Sequence, residues 1–233
     1  MNILGVVIAR GGSKGLPRKN LLKLGNKSLV EIAIDSALNS KLLTRVLVST
    51  DDAEIFNIAK KTKAHIPFLR PKKLSGDKSS VYEVLKHSTK WLKKNENWDA
   101  DIIVLLQSTT PFRRPEHIDS AIRLIIKNKV SSVMTVVKPD YPPHWMLKKD
   151  KSNKLKKLIN SKKIFQRRQD TPIVFQPAGS VYAITKKLLS KKKVVLPQED
   201  TLGLEISKEE SINIDTLMQY ELSKIFWNKR NGL

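Results

Sequence analysis

Short, mainly apolar runs alternate along this chain with segments whose apolar residues follow a helical period, and no other feature constrains the fold as much. The runs fall at residues 3–9, 45–50, 65–69, 102–106, 131–137 and 180–184. Between them, residues 29–38, the stretch after Asp52 (Ala53, Ile55, Phe56, Ile58, Ala59), residues 80–92 and residues 115–126 read as amphipathic helices. Residues 214–227 give a closing helix. Asp52 or Thr50 is placed to cap the second helix, and Pro115 suits the first turn of the fourth. Strands apolar on both faces, separated by such helices, predict an α/β protein with a mainly parallel sheet covered on both sides. The rhythm fails after Val137, where Pro, Lys and Arg accumulate, so a small lobe inserted at about 139–177 is expected.

With 233 residues, 40% of them apolar, the chain has enough to bury one core, and a single domain over 1–233 is the simplest organisation. It has no cysteine, which removes disulfides, thiolate metal sites and a thiol nucleophile, and points to the cytoplasm. Residues 1–10 lack a basic leader and read as a first strand. No apolar stretch reaches the roughly 18 residues of a membrane span, so no membrane partner is expected. The formal net charge of +22 raises the question of nucleic acid. Of the 44 basic residues 34 are Lys, the poorer residue for bidentate recognition of phosphate. The densest run, residues 148–163, holds eight lysines and no aromatic residue for stacking. It reads as a solvated face, and nucleic acid is not the expected partner. His65, His87, His117 and His144 have no metal-ligand spacing.

Open α/β sheets bind ligands at the carboxyl ends of their strands, and the first run ends in Arg10-Gly11-Gly12-Ser13-Lys14-Gly15-Leu16-Pro17-Arg18-Lys19-Asn20. Three glycines let backbone N–H groups turn toward an anion, and four basic side chains neutralise phosphate charge. The spacing is neither that of a P-loop nor that of a dinucleotide fingerprint.

The whole string resembles the A-R-G-G-S-K-G-[ILV]-P-x-K-N signature of the acylneuraminate (sialic acid family) cytidylyltransferases. The resemblance continues through Val48-Ser49-Thr50-Asp51-Asp52, Leu69-Arg70-Pro71 with Asp77 and Ser79-Ser80, and Leu105 through Arg113. It resumes at Arg168-Gln169, Gly179-Ser180-Val181-Tyr182 and Ile214-Asp215-Thr216, and so spans nearly the whole chain. It implies a Rossmann-like nucleotide-diphospho-sugar transferase fold whose inserted lobe serves dimerisation. It also implies transfer of CMP from CTP to the anomeric hydroxyl of a nonulosonic acid, with release of pyrophosphate. By the same resemblance Arg10, Gly11, Gly12, Ser13, Lys14, Lys19, Asn20, Arg70, Ser79 and Ser80 form the nucleotide site, and Arg10, Lys14 and Asp215 are the catalytic set.

Mg²⁺, or Mn²⁺, is the implied cofactor, with Asp215 as its ligand. Where the family reads D-I-D-T, this chain has Asn213-Ile214-Asp215-Thr216, which weakens the expected metal site; a helix N-cap is the other reading of Asp215. Gln107, Arg168 and Gln176 are the implied sugar contacts, Arg168 as the fork for the carboxylate with Arg167 as a close competitor. Where sialic acid enzymes read R-P-N-G-A-[IV]-Y, Gln176 and Ala178 replace the arginine and asparagine, so a relative of N-acetylneuraminate such as a legionaminate-like sugar is within range. The rival readings are a cytidylyltransferase for another acidic sugar such as Kdo, a more distant sugar-1-phosphate nucleotidyltransferase, and an inactive basic relative that binds polyanions. For the general base, Asp215 and the substrate itself stay open.

Overall fold

A computed structural model of the chain describes residues 1–13, 15–76, 79–160, 163, 165–191 and 199–232. Lys14 and Asp77 lie outside the described residues.

Strand β1 (Ile3–Ile8) runs into the glycine loop, and a short hairpin, β2 (Lys23–Leu24) and β3 (Lys27–Ser28), then delivers the chain to α1 (Leu29–Leu38). Ser28 starts α1 because its hydroxyl accepts from Glu31 N while the Glu31 carboxylate accepts from Ser28 N at 2.8 Å, a reciprocal cap. β4 (Arg45–Ser49) leads to α2 (Ala53–Lys60), and Asp52 rather than Thr50 is its cap, accepting from Glu54 N and Ile55 N at 3.0 Å each. Of the strand expected at 65–69 only His65 pairs, with Leu47. Pro67 has no N–H with which to continue the ladder.

Next come α3 (Val81–Glu96), β5 (Ile102–Gln107), α4 (Pro115–Asn128) and β6 (Ser132–Val137). The inserted segment forms a hairpin, β7 (Leu147–Lys149) and β8 (Leu155–Lys157), between 3₁₀ turns at Pro143–Trp145 and Arg168–Asp170. Every residue of its two strands is exposed, including the lysines of the densest basic run that lie on them. β9 (Gln176–Thr185) starts earlier than the expected residue 180 and takes the last two residues assigned to the lobe. α5 (Lys186–Lys191) and the edge strand β10 (Leu202–Glu205) were not foreseen. The closing helix α6 (Leu217–Asn231) begins three residues later than expected, at a Thr216 cap reciprocated by Gln219. Ile214 instead lies fully buried beneath it with Leu24 and Leu29.

The six-stranded sheet has the order β10-β6-β9-β5-β1-β4, and only β9 runs antiparallel to its neighbours. Alternation along β1 sends Ile3 and Val7 into one layer with α1, α2 and α4, and Leu4 and Val6 into the other with α3 and α5. The mainly parallel sheet covered on both faces is thus as the periodicity requires. From β1 the chain goes first to β4 on one side and later to β5 on the other, so the carboxyl ends at Ile8 and Gln107 flank a topological switch point.

Candidate active site

The glycine loop leaves β1 at this switch point, and one buried amide ties it down. Asn20, 4% exposed, donates from Nδ2 to Arg10 O at 2.8 Å, and the Ser108 hydroxyl lies 2.6 Å from Asn20 Oδ1 and 3.0 Å from Ile8 O. The ends of the loop are therefore pinned to each other and to the turn after β5. Two glycines are fixed by close approach. A β-carbon on Gly11 would stand 2.6 Å from Asp52 Oδ2, and one on Gly15 would stand 2.7 Å from the Asp215 backbone oxygen. Arg18, in the left-handed region at φ 55°, forks onto Asp52 and Glu54. Burial raises the Asp52 carboxyl, but bonds from Ile55 N and Arg18 outweigh it and hold the group below its ordinary value.

Between the loop, the turn after β5 and the start of α3 lies a cavity of about 580 Å³. It brings together Arg10, Ser13, Lys19, Asn20, Arg70, Ser79, Gln107 and Asp215 from the expected set. Arg70, 5% exposed, donates to Asp51 Oδ1 and Ser75 Oγ at 3.0 Å each and to Ser49 O at 3.4 Å, which presets its guanidinium at the wall. Burial lowers its pKa, and Asp51 opposes that shift. Lys19 Nζ reaches across to Asp215 Oδ1 at 2.6 Å.

Several of the expected residues fall outside that lining. Ser80 does not line the cavity; its hydroxyl caps α3 by accepting from Glu83 N, leaving Ser79 at the wall. Gly11 and Gly12 are not among the lining residues; Gly12 is exposed, with nothing within 4 Å of where its β-carbon would stand. Gln176 belongs to an adjoining cavity of about 480 Å³, which shares Gln107, Asn213 and Asp215 with the first. Arg168 borders neither; it donates to Pro139 O at 3.3 Å beside a separate cavity in the lobe. Asp215 is not a helix cap, because Thr216 fills that place. Sequence reasoning missed Ser108 and Asp51, which order Asn20 and Arg70, and also Lys138, Tyr182 and Lys208 on the second cavity.

For a divalent cation, the donor set is sparse but suitable. Asn213 Nδ2 donates to Asp215 Oδ2 at 2.9 Å, and Asn213 Oδ1 is buried with no hydrogen-bond partner. Among the described residues no cluster of three His, Cys, Asp or Glu exists. One carboxylate and one amide oxygen suit Mg²⁺, which takes the rest of its shell from water and phosphate.

A basic loop at the switch point of a mainly parallel sheet, with the Asp215 carboxylate across from it, is what a nucleotide-dependent transferase requires. Residues 4–230 match the cytidylyltransferase family, and the chain belongs to it: it is a nucleotidyltransferase. It is 34% identical over 228 residues to the CMP-N,N'-diacetyllegionaminic acid synthase of Legionella pneumophila, with 96% of this chain and 95% of that one covered. It is 28% identical over 227 residues to the pseudaminic acid cytidylyltransferase of Campylobacter jejuni, with 97% of each covered. The structure of CMP:2-keto-3-deoxy-manno-octonic acid synthetase complexed with CTP matches 99% of this chain and 100% of that one. Its TM-score is 0.72 at 16% identity, which shows the shared fold. Among the described residues no helix is long and apolar enough to cross a membrane.

Proposed function

We propose that the chain transfers CMP from CTP to the anomeric hydroxyl of a nonulosonic acid. The observation that carries this reading is the pair of cavities meeting at Gln107, Asn213 and Asp215, the first walled by the glycine loop and Arg70 and the second by amides and lysines. The sugar oxygen bonds to the α-phosphorus, the bond from that phosphorus to the bridging oxygen breaks, and pyrophosphate leaves. The hydroxyl proton passes to Asp215 or to the substrate's own carboxylate. Such a transfer asks the protein mainly for alignment and charge stabilisation. Arg10, Ser13, Lys14 and Lys19 hold the triphosphate, while Arg70 and Ser79 hold the nucleoside. Mg²⁺, held by Asp215 and Asn213, would supply charge neutralisation on the phosphates when bound.

Names of relatives support a legionaminate- or pseudaminate-like acceptor, and so does Ala178, a small buried residue on the second cavity where sialic acid enzymes carry asparagine. We further propose a cytoplasmic homodimer. The lobe exposes Tyr141, Leu155 and Ile173 at 71%, 64% and 78%, apolar surface that a second copy would cover, and Arg168 borders neither of the two site cavities of its own chain.

The test is pyrophosphate release from CTP and Mg²⁺ over a panel of acidic sugars including Kdo, with Lys14→Ala and Asp215→Ala alongside. One nonulosonate should give CTP-specific turnover that both substitutions abolish. Turnover with Kdo alone, or with none of the panel by folded protein, refutes the reading.

A further inference from the structure

The second cavity carries a cation with no role assigned so far. Lys208 lines it from the turn joining β10 to Asn213, and Asp140 lines it from the root of the lobe. The two form an ion pair, with 53% and 71% of their side chains exposed. The turn beneath Lys208 is braced independently: Ser207 N donates to Glu210 Oε2 at 3.2 Å, Ser211 Oγ to Lys208 O at 2.7 Å, and Arg114 Nε pairs with Glu210 Oε1 at 2.6 Å. The ammonium therefore projects from a fixed base on the wall that also holds Gln176 and Asp215. Lys138, the other lysine there, is drawn to Glu205 Oε1 at 3.2 Å on the sheet edge.

Asp140 is thus a carboxylate already seated on a cation inside the space that suits an acidic sugar. An exposed pair of this kind is weak, so exchanging one carboxylate for another costs little. Lys208, through its hydrogen bond and charge, and then Arg168 hold the Asp140 carboxyl below its ordinary value.

We infer that Lys208 is the residue of this chain that binds the substrate's carboxylate, and that Asp140 occupies it until the sugar acid arrives. The inference rests on the transferase reading above. It departs from the expectation, carried by the sequence resemblance, that Arg168 is the fork for the carboxylate.

The experiment compares Lys208→Met, Lys208→Arg and Asp140→Asn for the KM of the turned-over acidic sugar, the KM of CTP and the melting temperature. Lys208→Met should raise the sugar KM about tenfold, the scale of one charge-assisted hydrogen bond, and Lys208→Arg should restore most of it. Asp140→Asn should lower the sugar KM about two- to threefold, because it removes the internal competitor. The KM of CTP should not move. A bridge that merely holds the lobe shifts both single variants in the same direction, so a parallel rise overturns the assignment. The sugar's methyl ester supplies a second readout as a competitive inhibitor: its inhibition constant should be indifferent to Lys208→Met, and a tenfold loss there also overturns it. If no acidic sugar supports turnover, the transferase reading fails, and calorimetry of N-acetylneuraminate on the CMP-loaded protein decides Lys208 by itself. Binding that weakens about tenfold in Lys208→Met supports the assignment. Binding that is absent, or unaltered by the substitution, overturns it.

Discussion

Replacing Gly15 with alanine tests whether the approach of the glycine loop to Asp215 sets the rate. The new β-carbon would stand 2.7 Å from the Asp215 backbone oxygen, where ordinary contact begins near 3.4 Å. That oxygen belongs to a well-anchored segment: Ile214 N donates to Thr109 O at 2.8 Å, and the Ile214 side chain is fully buried. The exposed loop is therefore the side that yields, by about 0.7 Å, since contact potentials rise steeply below the optimum. Reacting groups displaced by about 1 Å lose on the order of 10²-fold in rate, so kcat/KM for pyrophosphate release should fall roughly 10- to 100-fold. Gly15 is exposed and contributes nothing to the core, so the melting temperature should stay within about 2 °C. Steady-state kinetics beside a thermal melt read both quantities. Activity within threefold of the parent refutes the steric reasoning. So does a loss that comes with a large fall in melting temperature, which would place the effect in folding.

Asn213→Asp restores a second carboxylate beside Asp215; the Mg²⁺ concentration giving half-maximal turnover should fall on the order of tenfold, and without metal the two like charges should lower the melting temperature. An unchanged metal titration would remove Asn213 from the metal site. Burial first, then the charges of Arg70 and Lys73, depress the pKa of His87 below its ordinary 6.5. The unfolded chain then binds this proton more readily than the native one, so the His87 contribution is full above about pH 6.5 and is lost as pH falls below it. Chemical denaturation of His87→Gln between pH 5 and 8 should show a shallower acid-side loss than the parent, and equal slopes would refute it.

The parts of this fold legible in the sequence are those where one physical requirement dominates the local pattern. β1 and β5 must be apolar on both faces to sit in the middle of a covered sheet, and their runs show it. The start of β9 resisted because Pro177 and Gly179, residues that ordinarily weaken a strand, lie within it. The ladder there shifts register between Met134 and Val136, and Gly179 takes φ 73°. β10, four residues at an edge and only half-buried, has no pattern to detect. The residues at 65–69 have strand composition, but Pro67 overrules it.

The candidate site divides along the same line. A loop dense in glycine and cations advertises phosphate chemistry in its own letters, whereas the groups that hold it in place are ordinary until their partners are known. Ser108 is one serine among many until it is found 2.6 Å from Asn20. Arg113 makes the case most fully. It is 4% exposed, and its hydrogen bonds go to carbonyl and hydroxyl oxygens, of Gln107, Ser180, Ser36 and Thr110, with no carboxylate among them. A guanidinium buried on such terms is costly, and burial pulls its pKa down. What that cost secures is the junction of β5 with β9, an antiparallel pairing that brings Gln107 and Gly179 to the same cavity. No property of Arg113 taken alone distinguishes it from a solvated arginine. Its function exists only once two strands distant in sequence present their carbonyls to a single fork, and contacts of that kind are what a sequence read without its fold withholds.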